Sequence, residues 1–386
     1  MKTAFSIFDF IVNFRNLWKS YNLARMGKRN RASIARFDYQ AETHLLTIKR
    51  ALFAGNYQPS TYRQFWVNDP KLRRISAPSF PDRIVHHALC QIIEPVFDQS
   101  FIEDSYACRR NKGTHKAMKR LQTFLRKAGT NYALKCDIAK YFANIDHEVL
   151  FTLIKRKITD SQTLNLIKKI IDSYSPGIPI GNLTSQLFAN IYLNELDRFV
   201  KQTLRKKYYL RYVDDFLILG ADKKELWQVF SQITVFLRKR LKLELHPRKV
   251  CLFPINKGVD FVGYVVFPDH IRLRSKNVRR FKKRLKKLQK GLAAGTVDQQ
   301  HFQSSISSWV GHALHADTFR LRKTLFASPS LQAFSPTPQL ETKRIHTAGG
   351  AKISKDEPPV KASAKPQVQH QGRPKISSGQ LSLFAD

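Results

Sequence analysis

A chain of 386 residues has room for a large core or for two to three modules, which excludes a peptide-sized binding module. Its 67 Lys and Arg against 29 Asp and Glu give a formal charge of +38 and a pI near 10.3, which calls for a polyanionic partner. No apolar run is long enough to span a membrane, the opening Met1–Trp18 is broken by Asp9, Asn13 and Arg15, and no signal-peptide pattern is present. Cys90, Cys108, Cys136 and Cys251 show no Cys-x-x-Cys spacing and lie in apolar surroundings, so buried, reduced thiols in a cytoplasmic protein are expected.

In chain order, residues from Phe5 to about Gly55 alternate apolar and basic positions at helical spacing and end at Gly55-Asn56, a helix stop. Their Lys28-Arg29-Asn30-Arg31 cluster reads equally as a phosphate contact or a solvated loop. Short strand-like pieces broken by Pro59, Pro70, Pro78 and Pro81 follow, predicting a hairpin with its tip around Asn68–Arg74. Apolar spacing from Pro81 predicts an amphipathic helix stopped by Pro95, on which His86 and His87 point apart and read as structural or backbone-contacting rather than as zinc ligands. Ser105–His115 sets Arg109, Arg110 and Lys112 around Gly113. Ala133–Asp137 is strand-like, 147–159 and 162–174 are helical, and 175–181 is a loop of breakers. A long helix is predicted from Asn182 to about Lys206, and another near Lys223–Lys242. Between them Tyr208–Leu219 reads as a hairpin whose turn residues are Asp214 and Asp215.

Lys249 stands beside a strand ending at Phe253, and Val259–Val266 forms a further strand-like stretch. From Ser275 a helix carries Val278, Phe281, Leu285, Leu288 and Leu292 on one stripe, with Arg279, Lys282, Lys283 and Lys286 on other faces. His312 and His315 share a helical face, where packing and phosphate contact are expected rather than metal. From 328 to 386 Pro, Gln, Ser, Lys and Ala dominate, which predicts a disordered tail. Its Leu381-Ser-Leu-Phe384 segment reads as a docking peptide or as a chance apolar stretch.

A pair of Asp at a turn is usually only a solvated turn. A third acid changes this, because Asp137 ends another apolar run and neighbouring strands can bring all three carboxylates to one sheet edge. Three hard oxygen donors suit Mg²⁺.

Asp137 followed by Phe142, then Gly181-Asn-Leu-Thr-Ser185-Gln186, then Tyr212-Val-Asp214-Asp215, resembles the palm of a reverse transcriptase. The resemblance implies an α+β right-hand polymerase with an antiparallel palm sheet backed by helices. The implied parts are an N-terminal helical extension (1–55), fingers (56–132), a palm (133–270, with helical segments over 147–180), a basic helical thumb (271–327) and the tail (328–386). It implies two Mg²⁺ ions held by Asp137, the Ile138 carbonyl, Asp214 and Asp215, with Lys249 serving the pyrophosphate. Arg73, Phe142, Ile180, Gly181 and Gln186 would meet the incoming deoxynucleotide. Arg109, Arg110, Lys112, Phe261, Gly263, Tyr264 and the thumb residues Arg279, Lys282, Lys283 and Lys286 would meet template and primer.

Most members of the family read Gln-Gly-x-x-x-Ser-Pro where this chain reads Ile180-Gly-Asn-Leu-Thr-Ser185-Gln186. That departure resembles the diversity-generating retroelement group, and Trp309-Val-Gly-His312 with His315 resembles its thumb. The likeness implies error-prone cDNA synthesis from a template-repeat RNA, with dNTPs, a primer/cDNA duplex and a small basic oligomeric accessory protein as partners. It also implies a cytoplasmic setting, bacterial, archaeal or phage-encoded, without a membrane. Two alternatives stand beside it: a phage-defence reverse transcriptase and a catalytically inactive, maturase-like RNA-binding protein. No internal repeat and no phosphate-cradling Gly-x-x-x-x-Gly-Lys segment is present.

Overall fold

The computed structural model describes residues 6–68, 72–127 and 129–334. The tail from 335 onward, with its Leu381–Phe384 segment, and the hairpin tip 69–71 lie outside the described residues. The chain forms two compact units that divide between Val262 and Gly263.

The first unit opens with four helices: α1 (Ile7–Val12), α2 (Phe14–Arg25), α3 (Ala32–Tyr39) and α4 (Ala41–Phe53). Ser6 and Asp9 cap α1 reciprocally, satisfying amides that the first turn leaves open. Strands β1 (Arg63–Asn68) and β2 (Leu72–Ala77) pair antiparallel, with Val67 opposite Arg73. Helix α5 (Phe80–Asp98) starts at Ser79, whose hydroxyl accepts from the Asp82 amide, and runs three residues past Pro95. The predicted stop at Pro95 is therefore corrected. Proline removes only its own N–H, and this close to a C-terminus a single missing bond is tolerated.

Then come α6 (Thr114–Leu125), β3 (Tyr132–Asp137), α7 (His147–Lys155), α8 (Ser161–Asp172) and α9 (Leu183–Arg198), which continues as a π-helical turn over Phe199–Thr203. Next are β4 (Tyr209–Tyr212), β5 (Asp215–Gly220), α10 (Lys223–Leu241), β6 (Cys251–Pro254) and β7 (Val259–Phe261). Strand order is β4-β5-β3-β6, all antiparallel. The inner strand β5 is apolar on both faces, and Phe216, Leu217, Ile218 and Leu219 are all buried. Helix α9 is buried almost all round, its polar Asn190 and Asp197 included, and packs against α5 and α10. One continuous apolar cluster runs from Phe8 to Leu243.

The second unit holds the hairpin β8 (Tyr264–Val266) and β9 (Ile271–Leu273), then α11 (Ser275–Ala293), α12 (Gln299–Ala313) and α13 (Phe319–Leu325). Phe281, Leu285 and Leu288 of α11 pack on Phe302 and Ile306 of α12 and on Phe326. Phe281 and Trp309 stack with centroids 3.9 Å apart and 3° between planes. Burying that stripe leaves Arg279, Lys282, Lys283 and Lys286 exposed.

Two further expectations are corrected. Cys90 and Cys136 are buried, but Cys108 and Cys251 are exposed, all four as free thiols. The hairpin turn consists of Val213 and Asp214, because Asp215 already belongs to β5.

Candidate active site

The inner strands of the four-stranded sheet place two carboxylates side by side, since Asp137 at the end of β3 is the register partner of Asp215 at the start of β5. Asp214 precedes Asp215 in the turn, and Val213 before it sits in the left-handed region at φ +56°. Burial, then the charge of Asp137, raises the Asp214 pKa against the opposing pull of Lys249 and Arg73. Burial also raises Asp215, to about 6, although Lys135 opposes it.

Two lysines attend these acids. Lys249 Nζ lies 2.5 Å from Asp137 Oδ1. It is delivered by a segment tied to the end of β3: Ala139 N donates to Glu244 O (2.9 Å), His246 N to Asp137 O (2.7 Å) and Lys249 N to His246 O (3.1 Å). Lys135 Nζ lies 3.2 Å from Asp215 Oδ2 and donates to the Asp260 carbonyl at 2.7 Å. Lys135 was missed from sequence, although it precedes Asp137 by two residues and a period of two puts both on one face.

Among the described residues no group of three or more His, Cys, Asp or Glu side chains is gathered so as to hold a metal ion. Asp137 turns instead to Lys249 and Asp215 to Lys135, pairings that relieve carboxylate repulsion. The donor chemistry nevertheless fits a hard divalent cation. Asp215 Oδ1 is buried without a hydrogen-bond partner, and the charge of Asp137 helps to raise the pKa of both Asp214 and Asp215. Ile138, buried beside them, forms a bridge with Leu245.

The residues expected around a nucleotide are linked through β2. Arg73 is exposed on that strand, and its charge acts on Asp214. Ser76 N donates to Ile180 O at 2.9 Å, so the loop before α9 joins β2 edge to edge. Gly181 makes this approach possible: its φ is +127°, and a Cβ there would stand 2.9 Å from Ser76 O. Gln186 is half-buried in the first turns of α9. Phe142, half-buried in the 3-10 turn Tyr141–Asn144, offers its carbonyl to Ile178 N at 2.8 Å in the same loop.

Several template and primer assignments are corrected. Arg109 is buried, with Nε 2.6 Å from Asp98 Oδ1 and Nη1 donating to the Ile102 and Ser105 carbonyls, so it braces its own loop. Lys112 is half-buried and paired with the exposed Glu103. Arg110 remains outward-facing, 3.9 Å from Glu94. The side chains of Phe261 and Tyr264 are fully buried, and the Tyr264 hydroxyl is 2.9 Å from His312 Nδ1. Buried aromatic side chains serve packing, which leaves the backbone at Gly263 (φ +97°) as the accessible feature of that stretch.

The model of the family described as reverse transcriptase (RNA-dependent DNA polymerase) matches residues 68–266, just over half of the chain. The chain belongs to the reverse transcriptase family. It is 26% identical to protein YkfC of Escherichia coli (strain K12) over 267 residues, covering 57% of this chain and 70% of that one. To the group II intron-encoded protein LtrA of Lactococcus lactis subsp. cremoris it is 25% identical over 332 residues, 66% of this chain but only 54% of LtrA. Among solved structures, apo telomerase from Candida tropicalis aligns with a TM-score of 0.49 at 12% identity, covering 75% of this chain and 62% of that one. The antiparallel sheet, the helices backing it and the family match give this reverse transcriptase family member the right-hand polymerase fold. Among its described residues no helix is long and apolar enough to cross a membrane.

Proposed function

We propose that this family member is an active RNA-directed DNA polymerase of the diversity-generating kind, copying a template-repeat RNA into error-prone cDNA. The observation that carries the reading is the loop Ile180-Gly181-x-x-x-Ser185-Gln186, joined to the strand that bears Arg73. In this reading residues 56–132 act as fingers, 133–270 as palm and 271–327 as thumb. Asp137 and Asp214 hold two Mg²⁺ ions, supported by Asp215 and the Ile138 carbonyl. When bound, such ions make the primer 3′-oxygen nucleophilic and stabilise the departing pyrophosphate. Lys249, already facing the acids, neutralises that pyrophosphate. Arg73 pairs with the triphosphate, and Phe142 excludes a 2′-hydroxyl, so deoxynucleotides are selected. The exposed α11 cations bind the duplex backbone without sequence readout. A small basic oligomeric protein completes the complex.

Extension of a defined RNA template by the purified protein with Mg²⁺ and dNTPs, followed by sequencing of the product, tests this. Errors concentrated opposite template adenine are expected. Accurate cDNA would support synthesis of another kind, as in phage defence. A protein that binds RNA but extends nothing would leave the role of a catalytically inactive, maturase-like RNA-binding protein.

A further inference from the structure

We propose that Arg211 is a positioning residue that holds the Asp214 turn in place through the backbone of Val213. Arg211 is a charged residue inside an otherwise apolar strand, and both it and Asp197 are wholly buried. Nε and Nη2 grip the Asp197 carboxylate at 2.7 and 2.6 Å, and Tyr209 Oη donates to the same group at 2.6 Å. The remaining arm does different work: Nη1 donates to Asn190 Oδ1 at 3.3 Å and to the Val213 carbonyl at 3.0 Å. Asp197 and Asn190 stand seven residues apart on α9, one face of a rigid buried helix.

Val213 is the only residue between the gripped strand and Asp214, and its left-handed φ of +56° is disfavoured for a β-branched side chain. An arginine fork anchored on α9 thus holds the carbonyl of a strained residue next to a candidate metal-binding acid. The pair lies beyond the reach of solvent and touches no reacting atom.

This inference rests on the assignment of Asp214 to the active centre, so Asp214→Asn is run in parallel. Full extension by Asp214→Asn would sink that assignment itself. Removing Arg211 alone strands a buried charge, so the test uses Arg211→Met/Asp197→Leu and, in case that pair misfolds, Arg211→Lys, which keeps the charge but loses the fork. Each variant is compared by thermal melting, by kcat and KM for dNTP, and with Val213→Gly added. The expected result is a folded protein with kcat lowered about tenfold or more at similar KM, and partial recovery of kcat once Gly removes the strain. Unchanged kcat in a folded variant overturns the proposal. So does a loss that Val213→Gly leaves untouched, because that would mark plain packing.

A second observation, independent of the active centre, concerns Gln380-Leu381-Ser382-Leu383-Phe384. It lies outside the described residues, and its chemistry is read from the sequence. Between 335 and 386 Phe384 is the only aromatic residue, and three of the nine Leu, Ile, Val and Phe residues fall within 381–384. A glutamine amide, a leucine and an adjoining Leu-Phe pair ask for a polar socket beside two apolar pockets. Bacterial polymerases use peptides of this pattern to dock on the ring-shaped sliding clamp. We infer that residues 380–384 bind such a clamp. The test measures binding of the full chain to a purified bacterial sliding clamp, with Leu383→Ala/Phe384→Ala as the variant and a peptide spanning 379–386 as competitor. Saturable binding, weakened about tenfold or more in the variant and competed by the peptide, is expected, with extension in the absence of clamp unchanged. No binding by the unaltered chain, or equal binding by the variant, overturns the inference.

Discussion

Lys249 Nζ lies 2.5 Å from Asp137 Oδ1, so a cation of the protein itself already occupies one of the carboxylates proposed to take Mg²⁺. Metal and lysine therefore compete for Asp137. A partly exposed pair of this kind contributes up to about 1 kcal/mol, or about fivefold in an apparent affinity. Lys249→Met is expected to lower the Mg²⁺ concentration at the midpoint of metal-dependent thermal stabilisation by up to that factor, while slowing extension. A midpoint that does not move would mean that Asp137 is not a ligand.

The exposed cations of α11 lead to a prediction about salt. Replacing Lys282, Lys283, Lys286 and Lys287 by Gln is expected to weaken primer–template binding. The dependence of log affinity on log salt is expected to flatten by about 0.7–0.9 for each phosphate that the variant no longer neutralises. Binding isotherms at several salt concentrations measure this, and an unchanged slope would identify α11 as merely solvated.

His86 carries a pH prediction. It is 1% exposed, both ring nitrogens lack partners, and burial pushes its pKa down to about 4. The folded state therefore holds the neutral ring while the unfolded chain takes a proton at the ordinary 6.5. Its contribution is complete above pH 6.5 and is lost as pH falls from there to about 4, amounting to about 3 kcal/mol. Urea denaturation of His86→Leu at pH 7.5 and 5 is expected to show higher stability than the parent at both values and a smaller loss between them. An equal loss in both proteins would assign the acid sensitivity elsewhere.

What the sequence made legible was whatever a local pattern determines: the apolar strands flanking Asp137 and Asp215, the striped α11, and the order of the acids along the chain. What it hid were choices made by tertiary partners. Arg109 looks like a template contact beside Gly113, yet Asp98 and two carbonyls claim its guanidinium. Pro95 looks like a stop, but a helix can forgo one bond near its end. Tyr264 has the composition of a surface grip, and its hydroxyl instead lies against His312. Arg211 had a readable signal, because a charge inside an apolar strand requires a buried acid, but nothing local marks that acid as Asp197.

The last prediction concerns errors and turns on Ile180. Its carbonyl is held by Ser76 N, and Gly181 after it lets the loop lie against β2, so the backbone here has little freedom to adjust. Where most family members place a Gln, the Ile side chain can pack but can donate no hydrogen bond. A hydrogen bond of that kind is worth about 0.5–1.5 kcal/mol, so doing without it is expected to raise misincorporation by up to about tenfold. The effect is expected to be greatest where the template base pairs most weakly, which points to adenine with its two hydrogen bonds. Ile180→Gln is therefore expected to raise fidelity opposite template adenine more than opposite guanine or cytosine. Sequencing cDNA made by both proteins from one defined RNA measures it. Identical error spectra, with both proteins extending efficiently, would place the source of infidelity in the accessory protein or the RNA instead of this loop.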